Sequence, residues 1–468
     1  MPVSVAYAPD PLYLQLGEGF ADPVRAADFP QTILRFRNQR AAATVGLDSL
    51  SDAEWVAHFG RFEPLPDNLD PPLALRYHGH QFRMYNPDLG DGRGFLFAQL
   101  REAGTGRLLD LGTKGSGRTP WSRTADGRLT LKGGVREVLA TAMLEALGAP
   151  TSRTLSLIET GEDLVRGDEP SPTRSSVMVR LSHSHIRFGS FQRHAFEEQP
   201  ERLRALVDHV IAAYYPELAG DNDPAAALLR TLVQRMGRLT ASWIAAGFVH
   251  GVLNTDNMSL TGESFDYGPY RFLPHFDPNF TAAYFDQQGL YAFGRQPEAV
   301  FWNLQQLGGV LAGISNEDAV IAALNDFGAA YRREVGEAFA RRLGVGSRGV
   351  EADEALFRAS LNVLGEAGPD LRWEPFFFDW FCGREPQGLR ATQYVGPAAQ
   401  AFRGLLATFQ AERPERLQHP YFSRAEPEEL LYDEIEAIWA PIAERDDWSA
   451  FEAKLAAIEV ARLAWGLA

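Results

Sequence analysis

The stretch His250 to Pro269, HGVLNTDNMSLTGESFDYGP, decides how the rest of the chain is read. It packs His250, Gly251, Asn254, Asp256, Asn257 and Asp266 into one short segment that closes on Asp-Tyr-Gly. Met258-Ser259-Leu260, a Thr-Gly-Glu-Ser turn and Phe265 predict a tight hairpin that folds Asp266 back beside Asn257. A carboxamide oxygen and a carboxylate brought together by a turn are hard donors, suited to Mg²⁺ or Mn²⁺ holding a triphosphate.

Phosphoryl-transfer enzymes of the protein-kinase type need a similar layout. A loop opened by His supplies a base and a metal-binding Asn, and a downstream Asp-x-Gly supplies the second metal ligand. One position departs from it. Where a His-Gly loop normally continues with the base Asp, this chain has Val252. Asn257 is in place, and an unusual Asp256 precedes it. The loop is therefore equipped to bind a metal-nucleotide but not to activate a hydroxyl in the usual way.

The chain around this segment is ordinary in bulk. At 468 residues, with 45% hydrophobic and 23% charged residues, it suits two or three compact units of a soluble globular protein. A formal net charge of −16 argues against general binding to nucleic acid or anionic membrane, without excluding a local basic pocket. The single cysteine, Cys382, rules out an intrachain disulfide and a Cys-based zinc site. The first twenty residues lack the basic and apolar regions of a signal peptide, and no window approaches 18 uncharged apolar residues. A cytoplasmic protein without a membrane span is expected.

Upstream, the residues at 1 to about 75 are rich in Pro and Asp, with a helix at Asp52 to Phe59 opened by Ser51. His78 and His80 follow in an aromatic stretch with no third ligand at useful spacing, so packing and hydrogen bonding are expected of them. From Gly90 the pattern is β. Gly90-Asp-Gly-Arg-Gly reads as a turn, Phe95 to Leu100 as a strand, Gly104-Thr-Gly as a turn, and Arg107 to Gly112 as a strand leading to Lys114. A Gly-rich turn and a Lys-bearing strand are how kinase-like lobes cover and grip phosphates, although most such turns merely join strands. The polar loop from Lys114 to Arg128 carries Arg118 and Arg123 besides, and reads either as solvated or as an anion-binding surface. Gly134 to Leu147 has helical spacing, with Glu137 in its first turn and in the order expected of a Lys-positioning Glu. Arg180, on a strand at Ser176 to Leu181, and Arg187 flank a His-bearing turn. They either share one anion or form an exposed salt-bridging pair.

After Phe191 the pattern turns helical. Segments at Glu201–Tyr215, Pro224–Phe248, Pro297–Leu311, Asn316–Leu343, Glu351–Glu366, Ala391–Gln410 and Pro427–Ile458 are expected, the last broken at Trp439-Ala-Pro. The reading is α+β, with a protein-kinase-like two-lobed fold and the nucleotide at the lobe junction. Residues 1–190 make an N-terminal extension and β-rich N-lobe, 191–345 a mostly helical C-lobe with the metal loop, and 346–468 additional C-terminal helices.

Taken in order, the pieces resemble the selenoprotein O family of kinase-like protein adenylyltransferases. The matching residues are Gly90-Asp-Gly-Arg-Gly, Lys114-Gly-Ser-Gly-x-Thr-Pro-Trp-Ser-Arg, Asp126-Gly127-Arg128, Arg136-Glu137, Ser184-His185-Ile-Arg187-Phe-Gly, His250 to Ser259 and Asp266-Tyr-Gly-Pro. The resemblance implies transfer of AMP from ATP to Ser, Thr or Tyr hydroxyls of target proteins, with ATP bound in a flipped orientation and pyrophosphate released. It implies that Lys114, Arg180 and Arg187 contact phosphates, and that Gly90, Gly92, Arg93, Asp126 and Gly127 line the same pocket. It also implies that Glu137 pairs with Lys114, that Asn257 and Asp266 hold Mg²⁺ or Mn²⁺, and that Asp256 accepts the proton. A conventional kinase and an inactive nucleotide-binding module are the alternatives. The match runs from about Phe29 to Leu343 and is poor beyond. Some members carry a cysteine or selenocysteine near the C-terminus; this chain ends Ala-Trp-Gly-Leu-Ala, which implies no redox control of that kind.

Overall fold

The computed structural model describes residues 4–467 other than residue 168; the outermost residues of the two termini read above lie outside this range. Among the described residues, strands run in chain order as β1 (Ala21–Pro23), β2 (Ile33–Arg37), β3 (Leu73–Leu75), β4 (Gly79–Gln81), β5 (Met84–Asn86), β6 (Leu96–Arg101), β7 (Leu108–Lys114), β8 (Leu129–Thr130), β9 (Arg153–Leu164), β10 (Thr173–Ser182), β11 (Phe248–Val249) and β12 (Arg271–Phe272). The main sheet has the order β1-β3-β6-β7-β10-β9-β2, with β8 on β10, and its pairings are antiparallel. β4 with β5, and β11 with β12, form small separate ribbons.

Every residue of β7 is buried, as in a sheet covered on both faces. Leu109, Leu111, Val177, Val179 and Leu181 face a core closed by Trp55 and Phe59 of the Asp52–Phe59 helix. That helix begins as expected, with a Ser51–Glu54 capping box. Side chains alternate along a strand, so Asp110, Gly112 and Lys114 of β7 share the opposite face with Met178, Arg180 and Ser182 of β10. Gly112 opposes Arg180, and a Cβ on Gly112 would fall 2.2 Å from the His185 ring. The sheet thus holds Lys114 and Arg180 on one face, with the His185 ring packed over Gly112.

The helices are α1 (Gln39–Ala43), α2 (Asp52–Phe59), α3 (Leu131–Ala146), α4 (Phe188–Phe196), α5 (Pro200–Tyr214), α6 (Pro224–Ala245), α7 (Gln296–Leu311), α8 (Glu317–Asn325), α9 (Phe327–Arg342), α10 (Val350–Ala367), α11 (Trp373–Trp380), α12 (Pro397–Leu406), α13 (Tyr432–Arg445) and α14 (Ser449–Trp465). α3 crosses the Lys114-bearing face against β9 and β10, and α14 lies along α3. The buried α6 anchors α7, α8 and α9 and delivers the chain to β11 and His250.

Several boundaries differ from the sequence reading. α3 starts at Leu131, capped by the Thr130 hydroxyl, so Glu137 lies in the second turn and not in the first. Asn316–Leu343 is two helices divided at Asp326. The break in the last segment falls not at Pro441, which sits inside α13, but at the left-handed Asp446. α11, WEPFFFDW, is buried at every position and has no polar face to set a helical period, so it escaped detection.

Candidate active site

A cavity of about 430 Å³ opens between the Gly90–Gly94 turn, the end of β7 and the His250–Pro269 segment. Gly90, Gly92, Arg93, Lys114, Arg180, Arg187, Asp256, Asn257 and Asp266 all border it. Asp126 and Gly127 do not. Gly127 forms a left-handed turn with its carbonyl bonded to Gly117, while the Asp126 carboxylate pairs with Arg166 at 2.8 Å over a separate surface depression. Of the loop cations, Arg123 borders the cavity, whereas Arg118 and Arg128 stand away from it, Arg128 on Glu162 at 2.8 Å.

Asp266 is the centre of the charge arrangement. Its Oδ1 meets Arg180 at 2.9 Å and Lys114 at 3.2 Å, and its Oδ2 meets Arg187 at 2.8 Å. Burial would push this carboxyl up, but Arg180, Lys114, Arg187 and Arg93 outweigh that and hold it well below the usual carboxylate range. Lys114 also pairs with Glu137 on α3, as expected of a Lys-positioning Glu. Burial pulls the Lys114 ammonium down against the pull of Glu137 and Asp266. Arg180 and Arg187 are each 4% exposed, so they are a buried pair sharing one anion rather than a surface ion pair. The Arg187 guanidinium also lies 4.5 Å from the Tyr77 ring centroid and 3.4 Å from Asp91.

The segment that carries Asp266 is not the self-paired hairpin expected from its turn. Ser259 bridges to Arg187 and Ser264 to Thr151, so each limb pairs with a different neighbour and the turn spans them. The consequence for the site is as expected: Asn257 and Asp266 border one cavity. Asp266 adopts φ 63°, a left-handed backbone that an L-residue holds only when its surroundings fix it. The His250 ring supports the preceding residue through the Phe265 carbonyl at 3.1 Å.

Asp256 sits in a 3₁₀ turn, Thr255–Asn257, with Val252 across the same cavity. Burial raises its carboxyl to about 6 against the opposing Arg187 charge, and one oxygen has no hydrogen-bond partner. Asn257 donates its amide nitrogen to the Val252 carbonyl at 3.0 Å, which presents the amide oxygen as the remaining acceptor. Among the described residues no group of three or more His, Cys, Asp or Glu side chains is arranged to hold a metal. An Asn257–Asp266 donor pair suits a hard cation that completes its shell with phosphate and water oxygens.

Sequence reasoning missed Asp91, Trp121 and Tyr77. Asp91 lies inside the Gly turn already singled out, and it accepts the Leu75 N–H at 3.0 Å. Trp121 fills the space that a Cβ on Gly90 would take, and its neighbours Thr119 and Ser122 donate to the Asp91 and Gly92 carbonyls. His78 and His80 behave as expected, bonding to Tyr85 and Gln192 at 2.9 Å each.

A cation-lined cleft of this kind belongs, by comparison with known proteins, to a nucleotidyltransferase. Residues 3–459 match the family described as protein adenylyltransferase SelO, and the chain belongs to that family. It is 47% identical to the protein nucleotidyltransferase YdiU of Synechocystis sp. over 94% of this chain and 96% of the relative. The namesake proteins of Trichodesmium erythraeum and Gloeobacter violaceus are 44% and 45% identical, over 94% of this chain and 96% and 93% of theirs. The match reaches residue 459, so the helices after Leu343 share in the family likeness that the sequence reading had confined to the part before them.

Proposed function

We propose that this protein transfers AMP from ATP to Ser, Thr or Tyr hydroxyls of target proteins, releasing pyrophosphate. The observation that carries the reading is the convergence of Lys114, Arg180 and Arg187 on one side of the cavity that Asp256 also borders. Attack at the α-phosphorus makes pyrophosphate the leaving group, so cations must gather around the β- and γ-phosphates. Arg180 and Arg187 supply forked donors for that task, and Lys114 a point charge held by Glu137.

In this reading the phosphates compete with Asp266 for the three cations, and Asn257 and Asp266 are the residues that would hold Mg²⁺ or Mn²⁺. The metal, when bound, neutralises phosphate charge and orients the triphosphate. Gly90, Gly92 and Arg93 approach the same nucleotide. Asp126 and Gly127 act at one remove, by shaping the loop that carries Trp121 and Ser122. Asp256 takes the proton of the acceptor hydroxyl, the work for which Val252 has no group. The sheet-bearing part at 1–190 and the helical part at 191–345 then act as the two lobes of a kinase-like fold, with 346–468 bracing them through α14. The site of action is the cytoplasm.

ATP labelled separately at the α- and γ-phosphate tests this. Transfer of α-label to protein is expected; γ-label on the acceptor would identify a conventional kinase. No label of either kind, with ATP bound, would identify an inactive nucleotide-binding module.

A further inference from the structure

The β4–β5 ribbon, which grows from the aromatic, His-bearing stretch after Tyr77, has no part in the reading above. It packs against the turn that carries Asp256. The His80 N–H donates to the Thr255 hydroxyl at 2.7 Å, and the Phe82 N–H donates to the Asn254 side-chain oxygen at 3.0 Å. Tyr291 donates to the same Asn254 oxygen at 2.7 Å. The two residues before Asp256 are thus gripped by two backbone donors of one ribbon. Contact continues to Asp256 itself: a Cβ on Gly79 would lie 3.1 Å from the Asp256 Cβ and 3.2 Å from the Thr255 hydroxyl. Such a spacing is tighter than ordinary van der Waals contact, so a methyl group on Gly79 would displace the Asp256 side chain or its turn by a few tenths of an ångström.

We propose that Thr255 is a positioning residue, the point at which the β4–β5 ribbon sets the place of the Asp256 carboxylate. The proposal rests on Asp256 being the proton acceptor. Asp256 has one oxygen without a hydrogen-bond partner, so its side chain is not held in place through that atom. Its position follows from the backbone of its turn, and Thr255, fully buried, pins that backbone to a ribbon 175 positions away, beside the Arg187 bond to the Asp256 carbonyl. Hydroxyl and N–H meet with no water between them, and a general base displaced by even a fraction of an ångström loses its line to the proton.

Thr255→Val keeps the shape and removes the acceptor, while Thr255→Ser keeps the acceptor and removes the methyl group. With α-labelled ATP and a protein acceptor, Thr255→Val is expected to lower kcat by about tenfold or more, the scale of a misplaced catalytic group. KM for ATP and ATP affinity should stay within about twofold, because the phosphate cations are untouched. Thr255→Ser should recover most of the parental kcat. Parental kcat in Thr255→Val, equal losses in Val and Ser, or a rise in KM matching the fall in kcat would each overturn the assignment. Should Thr255→Val fail to fold, Gly79→Ala carries the test from the ribbon side, with the same kcat-specific loss expected and parental kcat overturning it. Asp256→Ala in the same assay separates the two levels. If it transfers at the parental rate, the base reading fails; if it is slow while Thr255→Val is not, only the positioning role fails.

Discussion

Arg187 donates through a single guanidinium nitrogen to the Asp266 carboxylate and to the Asp256 carbonyl, at 2.8 Å each. One side chain therefore ties the proposed metal ligand to the turn of the proposed base. Lysine offers a point charge without the planar fork that grips two phosphate oxygens at once. Arg187→Lys is expected to weaken ATP binding by about tenfold or more, the scale of one lost charge-assisted hydrogen bond. AMP, which lacks the gripped phosphates, should lose less than about threefold. Titrating both nucleotides against parent and variant checks this, and equal losses would assign Arg187 to the adenosine or the fold.

Removing Asp266 leaves Lys114, Arg180 and Arg187 buried with Glu137, Asp91 and Asp256 as the remaining nearby carboxylates. Breaking a buried charge pair on one side costs about 3–5 kcal/mol. Asp266→Ala should therefore lower the urea midpoint markedly and abolish metal-dependent transfer. Metal-free triphosphate supplies the missing negative charge, so it should raise the variant's melting temperature by more than it raises the parent's. An equal shift in both proteins would show that the phosphates do not meet these cations.

Much of this site was legible because its parts are local. The order Gly90-Asp-Gly, Lys114, Glu137, Asn257, Asp266 needs only sequence spacing, and all five elements meet as read. Asp126 and Gly127, set in the pocket by the family resemblance, do not border the cavity, because a turn residue can face either side of its loop. Asp91 and Tyr77 were hidden for a different reason. Their partner Arg187 lies about a hundred residues away, and only the closed sheet brings them together. The long helices followed from their apolar periods, whereas α11 has no period to read. Pro441 misled because a proline marks a missing donor but not where the neighbouring packing lets the helix stop.

Asp256→Asn preserves volume and removes the proton acceptor. Transfer should fall by about 10² to 10⁴, the contribution of a general base, with ATP affinity within about threefold of the parent. Single-turnover transfer and equilibrium binding, measured on the same preparation, separate the two quantities. Parental transfer in Asp256→Asn would remove the relocated base from the mechanism.

Acid stability depends on two histidines behind the site. His183 and His209 are both buried near Asp110, and burial pulls each imidazolium down to about 4. Around His183, Arg107 and Arg235 deepen the shift while Asp110 and Glu102 oppose it. His209 stands edge-on to the Tyr13 ring at 5.9 Å, with Asp110 pulling weakly the other way. A histidine with a depressed folded-state pKa contributes stability that is fully present above its unfolded value near 6.5 and is lost as pH falls toward 4. At pH 5 each should have cost the fold about 1–2 kcal/mol, since the unfolded chain binds a proton that the folded chain refuses. Glu429, raised to about 7 by burial, works in the opposite direction, so the test is a difference between two proteins. His209→Phe keeps an aromatic ring against Tyr13 and removes the titrating group. Urea midpoints of parent and variant, followed from pH 7 to pH 5, should show a shallower decline in the variant. Parallel declines would mean that His209 is protonated in the folded chain as readily as in the unfolded one.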